Sequence, residues 1–339
     1  MTSFSDLGHS RRRQLLKLLG ATVAGSGLSA CGGGSTAAGD SSVASATAAA
    51  AVPATSVAST TTTTATTTAA TATAATAAVA KSAKRGIAYD LSAAADLAVL
   101  SPGVSWWYNW STQPNSGVPS NYLTAYGMDY YPMLWNGTFD ATAVVAYLKA
   151  HTEVAYLLLM NEPNLVDQSN LTPQQAAQLW PSYEAIATQT GVKLVGPAIT
   201  WGTMSGYNDP VLWLDAFYAA YQGANAGRDP QIDYLAFHWY DYGLAGQLDA
   251  LTKYGKPFWV TEMANWHSQT DGAQIDTLAK QEAQMTAMVA LCEGRSDVFR
   301  YAWFTGRMDA DPHFTSLLGA SGELTALGQL YLSLPFASS

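Results

Sequence analysis

Tyr156-Leu157-Leu158-Leu159-Met160-Asn161-Glu162-Pro163 is a short apolar run that ends on a carboxylate. Pro257-Phe258-Trp259-Val260-Thr261-Glu262 repeats the pattern about a hundred residues later. Runs of this length, rich in aliphatic and aromatic residues and closed by turn formers, read as buried strands. A glutamate at the mouth of such a strand is costly unless something pairs with it or uses it. Further runs of the same kind lie on either side, near 85–89, 104–109, 129–135, 193–198, 232–239 and 298–304, which makes eight strands.

Helical segments separate most of these strands. Thr172-Pro173-Gln174-Gln175 opens one with an N-cap, a first-position proline and a capping-box glutamine, and Gly191 stops it. Asp209-Pro210 opens a second that ends near Tyr221-Gln222-Gly223, Ile275 to Glu293 forms a third, and Leu324 to Leu334 is apolar at helical spacing. The connection Ser111–Ala125 reads as loop more than helix. Strand and helix alternating eight times predict an α/β fold, a (β/α)8 TIM barrel in a single domain over residues 85–337. A doubly wound open sheet is the rival, but no glycine-rich phosphate loop follows the first strand.

On a barrel of this kind the site lies at the C-terminal ends of the strands. Glu162 then ends the fourth strand and Glu262 the seventh, facing one another across the mouth. His238 and Tyr240 end the sixth, where either could hydrogen-bond Glu262. Asn161 could bind a sugar hydroxyl, and Trp303, near the end of the eighth strand, could lie under a sugar ring. Two carboxylates in a groove of tryptophans are the equipment for breaking a glycosidic bond. Alternation sends Trp106 and Trp107 to opposite faces, so the tryptophans divide between groove and core. Trp110, Trp135, Trp201 and Trp303 are read as groove residues, and Trp180 and Trp213, on helices, as packing.

The N-terminal quarter is an address and a tether. Residues 1–31 combine Arg12-Arg13, followed by Leu15-Leu16-Lys17, with a short apolar stretch and Leu28-Ser29-Ala30-Cys31. The first resembles a twin-arginine export signal and the second a bacterial lipobox, in which Cys31 is lipidated. Gly at position 32, rather than Asp, points to the outer membrane if the cell has one. Residues 32–84 are almost wholly Ala, Thr and Ser, with no apolar period, and are read as a disordered linker. The only other cysteine, Cys292, is read as a small core residue, and the five histidines lack ligand spacing, so neither a disulfide nor a metal site is expected. Residues 86–339 carry nine basic and 23 acidic residues, a formal charge of −14. Such a surface repels nucleic acid and suits a neutral polymer.

Asn161-Glu162-Pro163 and Thr261-Glu262 resemble the signature of clan A glycoside hydrolases. With Ser105-Trp106-Trp107-Tyr108-Asn109-Trp110 and Ala236-Phe237-His238-Trp239-Tyr240, residues 85–335 resemble glycoside hydrolase family 128. The resemblance implies a retaining β-1,3-glucanase, most often endo-acting, with Glu162 as acid/base and Glu262 as nucleophile. It requires no cofactor, and it implies contacts to β-glucan from Asn109 as well as from the residues above. The chain departs from the wider clan in having Asn109 and Trp110 where an arginine stands near the end of the second strand. A monomer on a lipid anchor is expected. A glucan-binding barrel without catalysis and a β-1,4-glucanase or mannanase remain the alternatives.

Overall fold

A computed structural model describes residues 80–336. The export signal, Cys31 and nearly all of the linker lie outside the described residues. The strands are β1 (Arg85–Ala88), β2 (Trp106–Tyr108), β3 (Asp129–Tyr130), β4 (Met133–Leu134), β5 (Tyr156–Leu159), β6 (Lys193–Ile199), β7 (Tyr234–Trp239), β8 (Phe258–Met263) and β9 (Val298–Trp303). All the pairings are parallel, in the order β3-β2-β1-β9-β8-β7-β6-β5-β4.

The ninth strand is a division of the predicted third. Tyr131-Pro132 separates β3 from β4 because proline has no N–H to give to a ladder. Tyr131 still donates its N–H to Trp107 O, and Pro132 O still accepts from Leu158. The two halves of one strand therefore stand at the two ends of the sheet order, and the chain through Tyr131-Pro132 joins them. The sheet is a closed ring of eight strands, as predicted, with β5 as the fourth and β8 as the seventh.

The pleat sorts the side chains into two layers. Ala88, Trp106, Tyr108, Leu158, Ala236, Trp259, Ala302 and Phe304 pack inside the ring. Ile87, Trp107, Leu157, Leu159, Phe237, Val260 and Trp303 pack outside it, in a core shared with the helices. Trp106 and Trp107 part as alternation requires. Gly86 faces the inner layer, where an added Cβ would come 2.2 Å from the Trp106 indole.

The outer layer holds α1 (Ala94–Leu100), α2 (Tyr122–Tyr126), α3 (Ala141–Ala150), α4 (Pro173–Thr190), α5 (Pro210–Ala224), α6 (Leu244–Leu251), α7 (Leu278–Gly294) and α8 (Ala326–Ser333). Thr172 and Gln175 form the capping box on α4, and Gly191 ends it in the left-handed region. Asp209 caps α5 through the Val211 N–H. α7 starts three residues later than its apolar pattern suggests, because the Thr277 hydroxyl caps it. Trp180 and Trp213 are fully buried packing residues on α4 and α5. Cys292 is buried too, and burial pushes its thiol up to about 12. Lys81 and Lys84 stand before the predicted domain boundary yet are anchored to the barrel: Lys81 donates to the carbonyls of Ser101, Val104 and Gly127, and Lys84 to those of Cys292, Glu293 and Arg295. Among the described residues, no helix is long and apolar enough to cross a membrane.

Candidate active site

The C-terminal ends of β2, β5, β7, β8 and β9 meet around Glu162 and Glu262, which are 2 % and 0 % exposed. Glu162 lies three residues beyond β5. Its N–H donates to Ala198 O at 2.8 Å, and its backbone is left-handed, with φ 46°. That conformation is strained for a residue with a Cβ, and it turns the carboxylate into the ring where Pro163 begins the loop. Glu262 points inward from β8 itself.

The two carboxylates have different neighbours. Glu262 Oε1 accepts from the Tyr108 hydroxyl at 3.0 Å and from the Trp110 indole N–H at 2.9 Å, and Oε2 accepts from the Tyr240 hydroxyl. Three rigid rings, brought by β2 and by the loops after β2 and β7, thus meet one negative charge with N–H and O–H donors. Glu162 Oε1 instead contacts Nδ1 of His238 at 2.9 Å, and that nitrogen is also 3.5 Å from Glu262 Oε1. The other ring nitrogen, Nε2, is 2.9 Å from Thr261 Oγ1. One ligand-type atom from each of Glu162, His238 and Glu262 lies within 4.8 Å of the other two. Such a cluster has the spacing of a cation site, but here the charge of Glu262 is met by the protein's own donors.

An aromatic wall continues from these donors. Tyr240 stacks on Trp266 with ring centres 4.3 Å apart, and Phe304 packs edge-on to Trp110, Tyr240 and Trp266 at 5.9, 5.8 and 5.4 Å. The sequence reading placed Trp303 here, and the structure corrects it. Trp303 is fully buried on the outer face of β9, donates its indole N–H to Thr315 O and packs near Tyr331. The side chain that faces the site from this strand end is Phe304, one residue on and therefore on the opposite face.

Asn109 is also corrected. It is 1 % exposed, its Oδ1 accepts from the Tyr130 hydroxyl and Ser111 N–H, and its Nδ2 donates to Gln113 O. Its polar atoms are engaged within the protein, where they hold the loop that carries Trp110. His238 does reach the carboxylates, but its close contact is to Glu162; Tyr240 is the residue bonded to Glu262. Asn161 is buried beside Glu162, with Nδ2 donating to Gln168 and Oδ1 without a protein partner. Trp135 is half-buried against the inner layer. Trp201, after β6, is 49 % exposed and fixed by an indole hydrogen bond to Gln247 of 2.7 Å, so its ring face is open to solvent. Gly202 beside it leaves room for the Asn164 carbonyl, 2.1 Å from where a Cβ would be, which ties this loop to the one bearing Glu162. Tyr108 and Phe304 are the site residues that the sequence reading did not single out; each lies on the inner face by alternation from Trp106 and Ala302.

The family description "glycosyl hydrolase catalytic core" matches residues 86–331. Alkali-sensitive linkage protein 1 of Schizosaccharomyces pombe is 28 % identical over 267 residues, covering 74 % of this chain and 45 % of that protein. The chain thus spans less than half the length of this curated relative. Among solved structures, a subgroup II endo-β-1,3-glucanase of glycoside hydrolase family 128 from Pseudomonas viridiflava is 64 % identical, with a TM-score of 0.76 over 76 % of this chain and 100 % of that one. Another from Sorangium cellulosum is 37 % identical, with a TM-score of 0.64 over 75 % and 100 %. A subgroup I endo-β-1,3-glucanase from Amycolatopsis mediterranei, solved with laminaritriose, is 27 % identical, with a TM-score of 0.56 over 74 % and 98 %.

Proposed function

As the chain belongs to glycoside hydrolase family 128, within the glycosyl hydrolase catalytic cores, we propose that it hydrolyses internal linkages of β-1,3-glucan by double displacement at Glu162 and Glu262. The observation that carries this reading is the unlike pair of carboxylates, one met by three donors and the other by a histidine, with oxygens within 4.8 Å of each other. Retaining glycosidases hold their carboxyl groups about 5–5.5 Å apart, whereas inverting enzymes need roughly 6.5–9.5 Å to admit a water between them. One oxygen of each glutamate lying within 4.8 Å of the other is in keeping with the retaining arrangement, and so with direct attack by one carboxylate.

In this mechanism Glu162 gives its proton to the departing glycosidic oxygen while a Glu262 oxygen bonds to the anomeric carbon. The bond between that carbon and the departing oxygen breaks, and a glycosyl-enzyme forms. Water then attacks the same carbon, Glu162 takes a proton from it, and Glu262 leaves as a carboxylate. Tyr108, Trp110 and Tyr240 aim the nucleophile and take up its charge again when it leaves. Asn161 Oδ1 is placed to accept from a sugar hydroxyl, and the rings of Trp110, Tyr240, Trp266 and Trp201 offer apolar surface to a glucan chain, with Phe304 packed beneath the first three. The acidic surface of the domain suits a neutral polymer.

The test is product analysis on linear β-1,3-glucan, with the anomer followed by NMR. Internal cleavage that first releases the β-anomer is expected. First release of the α-anomer would overturn double displacement, and no cleavage with glucan still bound would overturn the enzyme reading. The N-terminal pattern carries a separate proposal, export by the twin-arginine route with lipid attachment at Cys31. Fatty-acid labelling that survives in Cys31→Ser would refute it.

A further inference from the structure

Residues 259–263 do not alternate simply. Phe237 of β7 pairs with Val260, but the next residue, His238, pairs with Glu262, so Thr261 is an extra residue on β8. A bulge of this kind bends a strand and re-aims its side chains. Its effect is visible in the layers: Trp259 lies inside the ring, and Val260 and Met263 both lie outside. Unbroken alternation would put Glu262 outside with Val260. The extra residue brings two consecutive side chains, Thr261 and Glu262, to the same buried volume. The mechanism above uses Glu262 and leaves Thr261 unexplained.

Thr261 is fully buried, with its hydroxyl oxygen 2.9 Å from His238 Nε2. The other side of the ring faces Glu162 Oε1 at 2.9 Å and Glu262 Oε1 at 3.5 Å. Tyr108 and Tyr240 stand behind Glu262, and from the β6 side Thr200 donates its hydroxyl to the His238 carbonyl. An ionised carboxylate only accepts hydrogen bonds, so the contacts of Nδ1 are attractive only when Nδ1 carries the hydrogen. In the neutral ring Nε2 is then the acceptor, and the group that can donate to it is the Thr261 hydroxyl.

We propose that Thr261 is a positioning residue, which donates to His238 Nε2 and anchors the ring that the carboxylates keep as the Nδ1–H tautomer, so that Nδ1–H stays on Glu162 Oε1 and Glu162 carries its transferable proton on Oε2. The proposal rests on the acid/base reading of Glu162. In the opposite tautomer the Nδ1 lone pair would face two carboxylates. That repulsion is relieved when Glu162 takes its proton on Oε1, where the ring holds it away from the leaving group. The carboxylates therefore set the tautomer, and what the Thr261 hydroxyl supplies is the donor that anchors Nε2; a methyl of the same shape leaves that buried nitrogen unpartnered and the ring free to tilt off Oε1.

Two measurements on the whole protein test it. Two-bond ¹⁵N–¹H correlation spectra of the histidine rings, with His238 assigned by its loss in His238→Gln, read the tautomer directly and need no substrate. The wild type is expected to show the Nδ1–H pattern, and Thr261→Val the same tautomer with Nε2 shifted downfield, as for a pyridine-type nitrogen that accepts no hydrogen bond. Kinetics of Thr261→Val should show kcat reduced on the order of 30-fold with KM changed less than about twofold, and the basic limb of the kcat profile moved up by about one pH unit. Thr261→Ser should recover both to within about threefold. An Nε2–H wild type would overturn the proposal, as would an unchanged Nε2 shift and pH profile in Thr261→Val. So would a Thr261→Ser enzyme as impaired as Thr261→Val. If the protein cleaves no β-1,3-glucan, the Proposed function fails while the Nε2 shift still reads the role of Thr261.

Discussion

Glu262 and Glu162 are the same residue type at equivalent strand ends, yet they are held in opposite ways. Glu262 is fixed by three rings whose N–H and O–H groups point at it from separate elements. Glu162 is met by a histidine, whose Nδ1 faces it while Nε2 faces Thr261. The first arrangement holds a negative charge still in one place. The second can follow a group that changes its proton. The division of labour between two chemically identical side chains therefore comes from what their neighbours can do with hydrogen, not from the carboxylates themselves.

The largest break in this comparison is Glu262→Gln. An amide cannot bond to the anomeric carbon in place of the carboxylate, and kcat on β-1,3-glucan should fall by on the order of 10⁴-fold or more. Retention of a few per cent of the wild-type rate, with contaminating activity excluded, would remove Glu262 from the nucleophile role. Glu162→Gln should cost less, about 10²–10³-fold on glucan. The two variants should also differ in kind. With an aryl β-glucoside whose phenolate leaves without protonation, Glu162→Gln should regain most of its first-step rate, and Glu262→Gln should not. Equal behaviour of the two on that substrate would mean the roles are not divided as the neighbours suggest.

Much of this arrangement could be read before any coordinates. Eight apolar runs, two of them closed by glutamate, were enough for the barrel and for the pair, because burying a carboxylate at a strand end is too costly to be accidental. Faces near strand ends were harder to assign. Trp303 and Phe304 are neighbours, and size favoured the tryptophan, but the pleat puts only Phe304 in the groove. Tyr108 could have been found by counting two residues from Trp106, whose face the crowding at Gly86 fixes. Pro132 inside a predicted strand was a signal for the break between β3 and β4. The bulge at Thr261 left no such signal, because register belongs to the pairing of β7 with β8 and not to either strand alone.

A smaller change tests the three-ring clamp. Tyr240→Phe removes the donor to Oε2 and leaves the Tyr108 and Trp110 contacts to Oε1 in place. Losing one hydrogen bond to a charged group is worth about 1.5 kcal/mol, so kcat should fall about tenfold with little change in thermal stability. Tyr108→Phe combined with Tyr240→Phe should cost clearly more than either alone. If the double variant is no worse than Tyr240→Phe, one donor is sufficient, and the contrast between the two carboxylates is weaker than the geometry implies.

A third buried carboxylate sharpens the comparison, because its partner is permanently charged. Asp96 on α1 receives both Arg307 guanidinium nitrogens at 2.6 Å and the Gly322 N–H at 2.8 Å, which ties the first helix to the segment after β9. Burial works against its charge, but the Arg307 and Gly322 hydrogen bonds outweigh burial and hold the carboxyl below its ordinary 3.8. A carboxylate whose folded value is depressed adds stability that is fully present above its unfolded value. That stability is lost as the pH falls through the folded value. The contribution of Asp96 is thus complete at neutral pH and disappears below about pH 4. In Asp96→Asn the amide oxygen can still accept from Gly322, so at pH 7 the melting temperature should drop by only about 3 °C, roughly 1 kcal/mol in a domain of this size. The gap between variant and wild type should close as the buffer is taken from pH 5 to pH 3, with kcat at neutral pH nearly unchanged. A gap that stays constant with pH would mean that shape, not charge, is what Asp96 supplies, and that a fixed cation holds this carboxylate no more firmly than neutral donors hold Glu262.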